Sequence, residues 1–401
     1  MKPTVQAELV ARFVDHLENS TTDRVDSSLQ VPAAHYTDPA QASLEQEKLF
    51  RQTPLLVALS PDLPATGSYL AHQALDTDLL LVRDSQKQVR AYINACRHRG
   101  ARLTDGRGSA RSFSCPFHAW HWSIDGNLLA RPNSNDGFDD TGRLCDQLLE
   151  CESFETNGMI FVLLEGTGIE EKVAARMGDA LAEIGNYQIE DTVFFDSREA
   201  TRDCNYKFII DGFCEAYHIS ALHKETISPY YYTTPSLTDL TGDTVRMIGV
   251  RRSIDEELDK PPAERQLLSH ATTQYLIAPN IVLVHQVDHI QFWRVYPEQD
   301  AGHCRIEFSL YWPKPLDAEA ERKARFNVDV LWDVITGEDI PQALSIQKNL
   351  RSGAVDHLYF GRNEPALVHY HQAIAKHIGS SLLQTMDDVT DAPDVTDRSK
   401  A

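Results

Sequence analysis

Two short segments of the sequence pair a cysteine with a histidine: Cys96-Arg97-His98 and Cys115-Pro116-Phe117-His118, with sixteen residues between His98 and Cys115. Each pair follows a run with strand character, so two loops can converge on one metal centre. Two thiolates and two imidazoles suit a two-iron, two-sulfide cluster, one iron taking both sulfurs and the other both histidines. Neutral imidazoles leave less negative charge on such a cluster than four thiolates do, which raises its potential. A structural zinc ion accepts the same four side chains. Zinc fingers, however, keep their cysteines together and their histidines together, whereas here each loop supplies one of each. Arg99-Gly100 and Pro116 also fit loops that turn backbone amides towards sulfur. The cluster reading therefore prevails over zinc.

A second concentration of ligating side chains lies at Asp211-Gly212-Phe213-Cys214-Glu215-Ala216-Tyr217-His218, with His223 five residues on. On a regular helix such a pair diverges by about 140°, so both histidines reach one ion only if the helix bends or ends between them. Pro229 and the polar residues after His223 predict such a break. Two histidines and one carboxylate form the facial triad of non-haem Fe(II) oxygenases, with open positions for dioxygen. Alone, His218 would read as a buried structural histidine. Asp211 is a candidate for orienting a histidine ring, or a helix-surface acid. Phe208, Phe213, Ile219 and Leu222 flank the motif and are expected to line an apolar pocket or fill core. Tyr230-Tyr231-Tyr232 either packs or cages a cation.

The elements that position these groups fall into two halves. Residues 35–160 read as short strands broken by turns: Leu79–Val82, Val89–Asn94, Phe113–Cys115, Ala119–Ile124 and Met159–Leu164, with Asp125-Gly126 as a hairpin turn. Residues 161–379 mix helices (Ile169–Ile184, Asn205–Leu222, 317–335, 339–352, 364–378) with strands Thr244–Arg252, Gln274–Val287, Ile290–Tyr296 and Cys304–Trp312. That is an α+β pattern of helices on an antiparallel sheet. Residues 1–34 form an arm that opens with an amphipathic helix, and residues 380–401 are expected to be a disordered tail. A net charge of −21 argues against nucleic-acid binding. Seven cysteines without a secretory signal, and no apolar run of spanning length, predict a cytoplasmic protein with no membrane partner.

Cys96-Arg97-His98-Arg99-Gly100 and Cys115-Pro116-Phe117-His118-Ala119-Trp120 resemble the C-x-H-R-G and C-x-x-H-x-W pattern of Rieske-type aromatic-ring-hydroxylating oxygenases. The resemblance spans about residues 35–378. It implies an N-terminal all-β Rieske domain holding a 2Fe–2S cluster on Cys96, His98, Cys115 and His118, and a C-terminal helix-grip domain holding Fe(II) on His218 and His223. Gly337-Glu338-Asp339-Ile340 resembles the family segment whose second acid binds iron. Asp339 is thus the expected third ligand, ahead of Glu338 and Asp333. Glu215 stands where a family carboxylate, more often aspartate, bridges to a Rieske histidine of the adjacent subunit, here His118.

The resemblance further implies a homotrimer that takes electrons from NAD(P)H through a reductase, with or without a ferredoxin. Those electrons would pass by His118, Glu215 and His218. The expected reaction is oxygenation or demethylation of a small aromatic or otherwise apolar substrate with O2. Glutamate at 215 points instead to quaternary ammonium compounds, and a Rieske electron carrier without oxygenase activity is the rival of another class. Residues 83–111 hold eight basic residues against two acidic ones, a candidate docking patch for an acidic redox partner.

Overall fold

The run Leu79–Val82 is apolar without alternation because both faces of its strand are covered. In the computed structural model, which describes residues 1–132, 138, 146–298 and 300–385, Leu79 and Leu81 enter one core cluster. Leu80 and Val82 enter another, which surrounds Cys96 and Cys115. Strand Met159–Leu163 does the same: Ile160 and Val162 face the first cluster, and Met159, Phe161 and Leu163 face a third. Period-two alternation thus sends successive side chains into different cores.

The N-terminal half is a seven-stranded sheet in the order Leu55–Leu59, Met159–Leu163, Glu150–Thr156, Val89–Ile93, Thr77–Arg83, Ser68–Ala74, Arg107–Ser109. A three-stranded sheet of Ser112–Ser114, His121–Ser123 and Leu128–Ala130 accompanies it. Gly126 turns the expected Asp125-Gly126 corner at φ +79°, and a Cβ there would lie 2.7 Å from the Tyr92 ring.

The C-terminal half is a seven-stranded antiparallel sheet, Thr192–Arg202, Cys304–Pro313, Ile290–Pro297, Ile281–His285, Ala271–Ile277, Thr244–Val250, Leu237–Thr241. Helices Ala318–Val334, Ile340–Arg351 and Pro365–Ile378 accompany it. The first core cluster runs through both halves, joining Leu81 and Val162 to Tyr206, Val295 and Ile306. Polar ties cross the same boundary: Arg294 donates to the Val57 carbonyl at 3.2 Å, Arg305 to the Gln73 carbonyl at 2.7 Å, and His72 meets the Tyr296 hydroxyl at 2.9 Å.

Several elements differ from the sequence expectation. Gln274–Val287 is two strands, because Pro279 cannot continue a central strand and the chain reverses there. Strand Thr192–Arg202 was missed because its second half, Asp196–Arg202, has no alternation of apolar and polar residues. The helices expected at 317–335 and 339–352 are one rod, joined by a wide π-turn at Ile335–Asp339. Pro341 explains the turn: it has no N–H for the Gly337 carbonyl, and its ring crowds that position. Within the expected tail, Gln384–Thr385 pairs with Leu29 and Gln30; residues 386–401 lie outside the described residues. No helix among the described residues is long and apolar enough to cross a membrane.

Candidate metal centres and substrate cavity

The two Cys/His loops fold alike. In the first, the Cys96 amide donates to the Ala101 carbonyl at 2.8 Å and Gly100 donates back to Cys96 at 2.9 Å. In the second, Cys115 donates to Trp120 at 2.8 Å and Ala119 donates back to Cys115 at 3.0 Å. The residue four after each cysteine is left-handed: Gly100 at φ 77° and Ala119 at φ 56°. Glycine accepts that conformation freely, whereas alanine pays for it in strain.

These turns bring the rings of His98 and His118 to 4.5 Å between centroids, with His98 stacked on Trp120 at 4.9 Å. Burial and the neighbouring His118 and Arg99 hold His98 below its ordinary pKa, in the neutral form that ligates metal. Its Nδ1 is buried without a hydrogen-bond partner. Among the described residues, the one group of three or more ligating side chains with donor atoms within 4.8 Å of one another is His218, His223 and Asp339. The four cluster residues do not meet that limit, although a single tetrahedral zinc would draw them inside it. Two thiols, two imidazoles and an orphaned ring nitrogen fit a two-iron cluster.

The helix Tyr206–Phe213 begins at Asn205, whose side chain accepts from the Lys207 amide at 3.0 Å, and ends before Glu215. His218 and His223 then flank a single turn, Ile219–Leu222. The break expected between the histidines is therefore a one-turn helix that releases each ring at one end, with centroids 5.0 Å apart. Both Nε2 atoms face Asp339 Oδ1, at 3.6 Å from His218 and 3.2 Å from His223. Both Nδ1 atoms face a glutamate: His218 meets Glu215, which also accepts from the His218 amide at 3.0 Å, and His223 meets Glu338 at 2.6 Å.

Asp339 Oδ2 is buried with no partner. Burial opposes protonation of His223, yet hydrogen bonds to Asp339 and Glu338 outweigh it and raise its pKa. The pocket is thus built to hold positive charge. Two Nε2 lone pairs and a carboxylate fit one ferrous ion. Glu338 grips His223 and accepts from Thr226 at 3.1 Å. Asp333 is not in the donor group.

Two family models match the chain: a Rieske [2Fe-2S] domain over residues 53–151 and the catalytic domain of ring-hydroxylating alpha subunits over residues 179–380. The chain belongs to the Rieske non-haem iron oxygenase family. Among curated relatives, it is 31% identical over 203 residues to the carnitine monooxygenase oxygenase subunit of Escherichia coli (strain K12), covering 48% of this chain and 52% of that protein. It is 30% identical over 202 residues to the glycine betaine monooxygenase oxygenase subunit of Chromohalobacter salexigens, covering 49% and 44%. The matched segments thus span about half the length of these relatives.

Solved structures share the fold. A quaternary ammonium Rieske monooxygenase in complex with L-carnitine superposes with a TM-score of 0.73 at 18% identity, covering 88% of this chain and 96% of that one. Naphthalene 1,2-dioxygenase from Rhodococcus sp. gives 0.73 at 15%, covering 93% and 98%.

Two cavities flank the triad. The larger, about 610 Å³, touches all three triad residues. Its sheet-side lining includes Met247, Gln274, Val284 and Gln291, one cross-strand row, with helix residues Val330 and Leu331. The smaller, about 330 Å³, is lined by Asp211, Glu215, His218, Asp339 and Glu364 among apolar side chains. Of the pocket residues expected from sequence, Phe213 lines both cavities, Ile219 the larger, and Phe208 and Leu222 the smaller. Phe208 is also core, stacked on Tyr36 at 4.3 Å. The sequence reading missed Arg251, Gln286 and Trp293, which sit on strands or loops without a motif to flag them.

Asp211 Oδ1 meets the buried His371 at 2.9 Å, and its Oδ2 accepts from the Tyr36 hydroxyl at 2.7 Å. The tyrosine run does not form a cage. Arg251 lies over Tyr231 at 5.6 Å and Arg252 over Tyr232 at 5.0 Å, so guanidinium groups of the chain already occupy two of the three rings. The basic stretch is also partly spent, since Arg83, Arg90, Arg102 and Arg107 pair with Glu155, Asp84 and Glu150, Asp78 and Asp105, and Asp62.

Proposed function

We propose that the chain is the oxygenase component of a multicomponent system, supplied with electrons from NAD(P)H by a separate reductase, and that it oxidises a small quaternary ammonium compound. The observation that carries the first part is the convergence of His218, His223 and Asp339 beside a cavity large enough for a small organic molecule. An electron carrier needs neither feature. The ammonium reading rests on the two relatives named for carnitine and glycine betaine and on glutamate at 215. Phe213, Tyr230 and Trp293 contribute aromatic surface to the large cavity, which suits a methylated cation. This reading displaces the aromatic substrate expected from sequence.

The roles of the side chains follow from their contacts. Cys96, Cys115, His98 and His118 would hold the cluster; His218, His223 and Asp339 would hold the iron. When bound, the cluster supplies single electrons and the iron supplies the position at which dioxygen is activated. Glu215 and Glu338 keep the Nδ1 protons of the two histidines, which fixes the tautomer and leaves each Nε2 lone pair directed at Asp339. The apolar lining keeps bulk water from the reacting carbon. The small cavity leaves the Glu215 side open to docking, and Phe117 beside His118 is exposed. Both support an oligomer, a homotrimer by family resemblance, in which Glu215 meets His118 of the partner subunit.

A single turnover of chemically reduced protein under labelled dioxygen tests the proposal. L-carnitine, glycine betaine and choline would be set against naphthalene and benzoate. Label or demethylated product from an ammonium compound supports the reading, and product from the aromatic compounds alone overturns it.

A further inference from the structure

The large cavity contains one feature that a methylated cation does not need. Arg251 lines it from a loop position bridged to Tyr231. Its Nε donates to the Tyr231 hydroxyl at 3.2 Å. No hydrogen bond or ion pair among the described residues engages its two terminal nitrogens. A chain with a net charge of −21 offers acids in abundance, and Arg246, on the strand that leads to Arg251, takes two of them, Asp239 and Glu183; Arg252, which also lines the cavity, is exposed and lies over Tyr232. Asp288, whose carboxyl senses Arg251, is bonded to His289 at 2.7 Å.

The Tyr231 hydroxyl that steers Arg251 is held from two further sides. Thr272 Oγ1 lies 2.6 Å away, and Gln286 Nε2 donates at 3.3 Å. Thr272 and Gln286 also bond to each other, and both line the cavity. The guanidinium is thus oriented by a fixed cluster while its fork stays available. A partly buried guanidinium without a carboxylate is costly unless something occupies it. Its geometry matches a carboxylate through two parallel N–H···O bonds.

We infer that Arg251 anchors a carboxylate of the substrate, so that the enzyme selects amino-acid-like betaines over uncharged or purely cationic analogues. The inference rests on the ammonium reading for the rest of the molecule, though not for the anchor itself. Arg251 touches none of the triad residues or their glutamates by hydrogen bond, so it acts as a specificity residue at the substrate's non-reacting end. Remote contacts of this kind hold the reacting group in register with the metal site.

Equilibrium binding to the cluster-loaded protein, read by calorimetry without turnover, provides the test. Four probes suffice: γ-butyrobetaine, its primary amide, benzoate and benzamide. The wild type should bind γ-butyrobetaine on the order of ten- to a hundredfold more tightly than the amide, the range expected for a charge-assisted hydrogen-bond pair. Arg251→Gln should abolish that preference by weakening the acid while leaving the amide unchanged, and Arg251→Lys should restore part of it. If only benzoate binds, and does so through Arg251, the anchor stands and the ammonium reading falls. If acid and amide bind the wild type equally, the anchor falls and the ammonium reading stands.

Discussion

Glu338 and Asp339 are adjacent acids, and the structure gives them different work. Glu338→Ala removes the partner of His223 Nδ1 at 2.6 Å. The His223 side chain is only 3% exposed and that of Glu338 26%, so a water entering the vacated space is at best a neutral substitute for the lost carboxylate. The ring N–H then lacks a charged acceptor, and its tautomer is no longer fixed. Losing such a charge-assisted bond costs about 1.5–3 kcal/mol, which corresponds to roughly a ten- to hundredfold weaker affinity for the ion. Asp339→Ala removes a ligand atom outright and should leave no stoichiometric mononuclear iron. The assay is ferrous-ion titration of protein whose cluster is intact by its visible spectrum, with Glu338→Gln as a milder control because the amide oxygen still accepts. Retention of the iron by Asp339→Ala together with its loss from Glu338→Ala would refute the assignment.

Three further outcomes follow. Glu215→Ala should leave the cluster's spectrum and its reduction by dithionite unchanged while product per reduced chain falls to background; full turnover would remove Glu215 from the coupling role. Lys207→Met should destabilise the protein by about 3–5 kcal/mol, because Glu45, bonded to Lys207 at 2.7 and 2.8 Å in full burial, loses its counter-charge; Lys207→Met combined with Glu45→Leu should recover most of it in denaturant titration. His285 is held neutral by burial with its pKa lowered from 6.5 to about 4. The unfolded chain therefore binds the extra proton first, and stability falls as pH drops from 6.5 towards 4, by about 1.4 kcal/mol per pH unit for this group. His285→Gln should flatten that slope, and an unchanged slope would show that His285 does not govern it.

How much was legible in sequence depended on how local each device is. The cluster loops are self-contained: Cys and His stand two or three residues apart, and the turn that follows each pair is set by the residues after it. His218 and His223 are likewise adjacent, and only the form of the helix break was unforeseen. Asp339 lies far along the chain and was reached through family resemblance; its aim depends on the π-turn that Pro341 imposes, which side-chain periodicity does not reveal. The cavity was the least legible part. Met247, Gln274, Val284 and Gln291 meet only once four strands are in register, and no one of them stands out in its own segment. Asp211 was expected beside a histidine ring, but its segment does not show which one; the ring it meets, His371, arrives from the last described helix.

One chain with ligands for two different iron centres should load both. Metal and acid-labile sulfide analysis of anaerobically loaded protein tests it most directly, with Mössbauer spectroscopy to separate the sites. Three irons and two sulfides per chain are expected, with the spectrum of one iron lost in His218→Ala while the cluster pair persists. Stoichiometric zinc without sulfide, or two irons that His218→Ala leaves untouched, would contradict it.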